Sequence, residues 1–133
     1  MTKTPRYWRE NQSRYNMIGA KCMNCGKTYF PARAMCTECG RKSLGKMEKF
    51  KFSGKGSVFS VTTVHEAHEQ YDFLKPYTLA LIELDEGARI LGQVIDCEPE
   101  EIKIGMRVKS TFRKLGEEGK SGTIYYGYKF IKE

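Results

Sequence analysis

The residues best suited to chemistry in this chain are four cysteines gathered between positions 22 and 39. They read KCMNCGKTYFPARAMCTECG: two C-x2-C pairs, Cys22 with Cys25 and Cys36 with Cys39, ten residues apart, each followed by a glycine, Gly26 or Gly40. A C-x2-C-G turn aims two thiolates at one point while the glycine adopts a backbone conformation that a side chain disfavours. Four such thiolates complete a tetrahedral zinc shell with no position left for water or substrate, so the chemistry expected of Cys22, Cys25, Cys36 and Cys39 is structural. The alternatives are a disulfide pair or a thioredoxin-like redox motif. The latter needs only one C-x2-C beside a βαβ pattern, and no such pattern follows. The gap is long enough for a hairpin, with Tyr29, Phe30 and Pro31 supplying a strand and a bend.

Other chemistry is poorly supported. His65 and His68 stand in VHEAHEQ, an H-E-x-H one residue short of the spacing that sets two imidazoles on one helical face around zinc. Gly54-Lys55-Gly56 is too short for a phosphate loop, and no G-x-S-x-G nucleophile elbow occurs. The fifth cysteine, Cys97, follows an apolar VID run and is expected to be a reduced core or edge residue. One unpaired cysteine beside a metal quartet fits a reducing compartment. No apolar run approaches the ~20 residues of a membrane span. The start, MTKTPRYWRE, lacks a hydrophobic signal region, and the expected location is therefore cytoplasmic.

Several elements must position these residues. Thr4-Pro5 followed by RYWRENQSRY reads as a capped helix from Pro5 to Tyr15, with Thr4 as the N-cap. The ribbon follows it. RKSLGKMEKFKFSGKG then carries one alternating run, Met47 to Phe52, expected as the ribbon's exit and the first strand or linker of the next unit. From Gly56 onward short β segments recur: GSVFSVTTVH, YTLALIEL, ARILGQVI, RVKSTFRKL and GTIYYGYKFI. Asp85-Glu86-Gly87 supplies a hairpin turn, EEGKSG a flexible one, and Pro99 to Glu101 a short helical turn between the third and fourth segments. Five strands with that connection point to an OB-fold barrel. The expected fold is mainly β, with helix and ribbon at 1–45 and the barrel at 46–133.

The net charge of +7 is uneven: residues 1–50 hold 11 Lys and Arg against 3 Asp and Glu, whereas residues 51–133 hold 12 against 13. A basic N-terminal third attracts polyanions, whether nucleic acid, a phosphorylated cofactor or an acidic protein surface.

Taken together, RYWRE, SRYNMIGAKCMNCGKTYFPAR, CTECG, GKGSVFSVTTVH, PYTLALIELDEG, IKIGMRVKSTFR and YYGYKF resemble the thiolase-associated acyl-CoA-binding family, in which a rubredoxin-like zinc ribbon precedes an OB-fold. The resemblance runs from about Arg6 to Phe130. Ala32 stands where related chains often have a second proline. The resemblance implies a non-catalytic protein. Archaeal members like this chain bridge acetoacetyl-CoA thiolase to hydroxymethylglutaryl-CoA synthase in the mevalonate route to isoprenoids and help to shape a shared coenzyme A channel. On that expectation Arg6, Arg9 and Arg33 are the candidate contacts to coenzyme A phosphates or the channel wall, and Tyr7, Trp8, Tyr15 and Phe30 the candidate partner-facing residues. The competing class is a single-stranded nucleic-acid binder, in which Tyr125, Tyr126, Tyr128 and Phe130 offer stacking platforms. Alternation places Tyr126, Tyr128 and Phe130 on one strand face, which equally suits a core.

Overall fold

The computed structural model describes residues 4–133, apart from the side chains of Thr4, Arg6 and Gln70. The N-cap role expected of Thr4 and the anion role expected of Arg6 fall on side chains outside the described set. Helix α1 spans Thr4–Asn16. An i,i+4 ion pair between the half-buried Glu10 and Arg14 supports it, and Met17 then turns the chain sharply with φ 53. Among the described residues no helix is long and apolar enough to cross a membrane.

Two β units follow. Strands β1 (Ile18–Cys22), β2 (Thr28–Tyr29) and β3 (Met47–Lys51) form a three-stranded antiparallel sheet in the order β2-β1-β3. The run read from the sequence as the passage toward the barrel thus pairs along β1, from Cys22 opposite Met47 to Ile18 opposite Lys51. Alternation identified it as a strand but carries no information about its partner.

Strands β4 (Lys55–Val64), β5 (Tyr77–Leu84), β6 (Arg89–Val94), β7 (Arg107–Glu117) and β8 (Ile124–Lys132) close into a barrel in the order β4-β5-β6-β8-β7. Numbered within the barrel this is 1-2-3-5-4, with β6 and β8 paired in parallel, as in an OB-fold. The 3-10 turn at Pro99–Glu101 lies between β6 and β7 as expected, and a second, Glu69–Leu74, bridges β4 and β5. Inward residues fill the barrel, with Val58, Ile82, Leu84, Val108 and Phe130 all essentially inaccessible. Gly92 leaves space for one of them, because a Cβ there would lie 2.5 Å from the Phe130 ring.

Ribbon and barrel share packing. Phe30, after which the chain turns at a cis bond to Pro31, meets Phe52 edge-on at 5.9 Å and Tyr128 at 5.5 Å. Met17 and Phe52 are buried in the same cluster as the barrel interior. Hydrogen bonds from Phe52 N to Met17 O (2.9 Å) and from Thr28 Oγ1 to Glu86 O (2.7 Å) tie the seam. Helix α1 is held to the barrel by two ring contacts: Tyr7 stacked on Tyr125 at 4.1 Å, and Tyr15 edge-on to Phe112 at 5.1 Å.

Candidate metal centre and the surface around it

Each knuckle is made by its sequence. Gly26 N donates to Cys22 O (2.7 Å) and Gly40 N to Cys36 O (3.0 Å), with both glycines at positive φ. Cys22 ends β1 and Cys36 and Cys39 lie on the loop before the 3-10 turn Gly40–Ser43, so the hairpin folds one knuckle over the other. All four Sγ atoms lie within 4.8 Å of one another. Sulfurs bound about 2.3 Å from one zinc ion stand roughly 3.8 Å apart. The structure has Cys22 Sγ 4.0 Å from Cys39 Sγ and Cys25 Sγ 3.5 Å from Cys36 Sγ, which fits a tetrahedral four-thiolate shell.

The surroundings favour thiolate at this point. Tyr29 Oη is 3.1 Å from Cys36 Sγ and chiefly accounts for that thiol being pulled down to about 6. Cys25 is pushed up to about 12: the Lys27 amide works to lower it, but the neighbouring thiols, Cys36 foremost, and burial outweigh that. Four crowded sulfurs do not all ionise unless a cation joins them. A divalent ion bound by deprotonated cysteines supplies that charge. Asn24 Nδ2 donates to Cys39 Sγ at 3.1 Å, Cys36 N donates to Ser43 Oγ at 2.8 Å, and Lys27 pairs with Glu38 at 2.8 Å from one knuckle to the other. These supports were missed in the sequence. Ser43, a serine four residues past the last cysteine, is fully buried, and that position is visible only once the 3-10 turn folds it under the knuckle. Among the described residues the cysteine quartet is the only group of three or more His, Cys, Asp or Glu placed to share an ion. His65 and His68 are exposed in the loop after β4. Cys97 is half-buried, its thiol raised by burial, which keeps it protonated and unreactive at neutral pH.

The other candidate residues separate. Tyr7, Tyr15 and Phe30 are engaged within the chain by the ring contacts above. Trp8 is 74% exposed, so adjacent aromatic residues of one helix face in different directions. Arg9 is exposed on α1, whereas Arg33 lies over the Tyr29 ring at 5.6 Å in the ribbon, and no described contact joins the two. The aromatic residues of β8 are already in use: Phe130 is fully buried, Tyr128 packs on the core, Tyr126 stacks on Phe112 and Tyr125 on Tyr7.

Comparison with known proteins agrees with this architecture. Residues 14–45 match the family model described as the ChsH2 rubredoxin-like zinc ribbon domain, and residues 51–113 match the ChsH2 C-terminal OB-fold domain. A DUF35 domain-containing scaffold protein of Methanothermobacter thermautotrophicus is 47% identical over 130 residues, covering 98% of this chain and 96% of its own. The chain belongs to the ChsH2/DUF35 family. A probable enoyl-CoA hydratase alpha subunit of Thermomonospora curvata is 29% identical over 77% of this chain, which spans only 31% of that protein. In fold, the chain is similar to the Ltp2-ChsH2(DUF35) aldolase, with a TM-score of 0.71 at 23% identity over 99% of this chain and 96% of that one. The zinc ribbon and the OB-fold barrel are thus family features, and near-full-length relatives bear the name of scaffold proteins.

Proposed function

We propose that this chain is a non-catalytic, cytoplasmic scaffold subunit of an acyl-CoA-processing complex, in which it bridges acetoacetyl-CoA thiolase and hydroxymethylglutaryl-CoA synthase. The observation that carries the docking surface is Trp8. Tyr7 and Tyr15 fasten α1 to the barrel, yet the tryptophan between them stands 74% exposed beside exposed Arg9. Tryptophan and arginine are the residues most enriched among interface hot spots, and here they sit on a helix already held in place. The scaffold name of the near-full-length relative supports the reading, and so does the coenzyme A chemistry in the name of the hydratase subunit. The choice of thiolase and synthase rests on the sequence resemblance from RYWRE to YYGYKF.

On this reading α1 and the ribbon edge face the thiolase and form one wall of a common coenzyme A channel, with Arg9 and Arg33 placed toward the phosphates. Condensing two acetyl thioesters is uphill, and direct transfer of the product to the synthase draws the reaction forward. The zinc ion holds the ribbon in shape and takes no part in the chemistry. The test is co-purification of the three proteins with Trp8→Ala and Arg9→Ala combined. The expected result is loss of the thiolase with little change in the thermal stability of the isolated chain, and a complex retained at full yield refutes the docking surface.

A further inference from the structure

Strands β6 and β8 run parallel with Val94 opposite Phe130, and both of those side chains point into the barrel. Their predecessors, Gln93 and Lys129, therefore both point outward, and both line the same groove. An outward lysine ordinarily reaches water. Lys129 is only 7% exposed, because the barrel surface here is roofed by α1, the Glu69–Leu74 turn and the end of β7. Beneath that roof is a groove of about 690 Å³ with Gln93 and Lys129 on its floor and Tyr7, Phe73, Leu115 and Tyr125 among its walls.

The backbone of Lys129 pairs with Thr111 on β7, but its side chain has no hydrogen bond or ion pair among the described residues. Of its charged neighbours, Arg113 repels it, and Asp96 is occupied by Arg113 at 3.2 Å. Burial, followed by Arg113, lowers the affinity of the amine for its proton. The Lys129 ammonium is not sealed from solvent but opens onto the groove, where an anionic ligand would supply its counter-charge. The groove volume falls within the range of small-molecule sites, and its lining mixes aromatic and aliphatic side chains with the charged groups Lys114, Glu117, Glu118 and Lys129. Glu117 at the rim is paired with Lys114, and Glu118, which lines the same groove, makes no described ion pair with Lys129.

We infer that this groove is a binding site for a small free carboxylate with an apolar or aromatic body, its carboxylate held by Lys129 and Gln93 and its body lying against Tyr7, Phe73 and Tyr125. The site is separate from the zinc centre and from Trp8, and stands whichever enzyme docks on the helix.

The experiment uses the full zinc-loaded chain and 4-phenylbutyrate as probe, with 4-phenylbutan-1-ol as its uncharged counterpart, followed by calorimetry and by NMR of the lysine side chains. Saturable binding of the acid is expected, with a Kd of about 1 mM or tighter and a shift of the Lys129 ε-methylene signal. The alcohol is expected to bind at least about tenfold more weakly, as is the acid to Lys129→Met, since a charge-assisted hydrogen bond is lost in both cases. Phe73→Ala, at a residue 78% exposed and therefore dispensable for folding, should weaken the acid several-fold and serves as the second variant should Lys129→Met fail to fold. Absence of saturable binding, equal binding of the alcohol, or affinity unchanged in the folded variants overturns the assignment.

Discussion

Replacing Cys36 with serine tests whether the metal, rather than side-chain packing, holds the ribbon. Cys36 is fully buried and its Sγ stands 3.5 Å from Cys25 Sγ and 3.1 Å from Tyr29 Oη. The ribbon's own apolar cluster is small: Cys22, Tyr29 and Cys36 are buried, with Cys39 and Met47 packed against them. Units below about 40 residues seldom fold on such a core alone, whereas structural zinc contributes on the order of 10 kcal/mol or more of apparent binding energy at neutral pH. Serine is a far poorer zinc ligand than thiolate, so Cys36→Ser should unfold the ribbon. The barrel keeps Val58, Ile82, Leu84, Ile90, Val94, Val108 and Phe130, and should persist. It does not escape unharmed, because Phe30 is lost from its place against Phe52 and Tyr128. Losing one half-buried phenylalanine and its ring contacts costs about 2–3 kcal/mol. For a unit of this size that lowers Tm by roughly 10–25 °C. Metal analysis, amide hydrogen exchange and calorimetry on the variant report the three quantities separately. Protected β1 and β3 amides in a zinc-free variant would refute the metal as the source of ribbon stability, and an unchanged barrel transition would refute the coupling through Phe30.

Three further outcomes follow from individual contacts. Tyr7→Ala removes the ring stacked on Tyr125 and should raise amide exchange throughout α1 while leaving the barrel amides protected, since the pair contributes about 0.5–1.5 kcal/mol beyond its buried area. Gly92→Ala puts a methyl group against the Phe130 ring and should destabilise the fold by about 1–3 kcal/mol in chemical denaturation, with the barrel topology intact. Arg107 grips Asp85 through two hydrogen bonds, at 2.6 and 2.8 Å, and holds its carboxyl below the usual range. A carboxyl whose folded value is depressed adds stability above its unfolded pKa of about 4 and loses it as pH falls through the folded value. Asp85→Asn should therefore flatten the fall in Tm below about pH 4 and leave its slope near neutrality unchanged.

Much of this protein is local in origin, and local features are legible in a chain. Two C-x2-C-G turns announce their geometry because ligand spacing and the glycine conformation are set within five residues. The barrel strands are equally plain: YTLALIEL alternates between buried and half-buried positions along its whole length. Even the short turn at Pro99–Glu101 is encoded by its own proline.

Relations between distant segments were decided only by the fold. Alternation showed that Met47–Lys51 is extended, but its pairing with β1 depends on how the hairpin returns. Tyr7 and Trp8 are neighbours of comparable character, and the position of Tyr125 alone determines that one is covered and the other exposed. Lys129 shows the same limit most clearly. A lysine on the outward side of a strand should be solvated, and it is buried because α1, the Glu69–Leu74 turn and β7, drawn from three remote parts of the chain, close over it. Short-range sequence specifies backbone conformation and which face of an element is apolar; what covers each face is a property of long-range packing, which no window of residues contains.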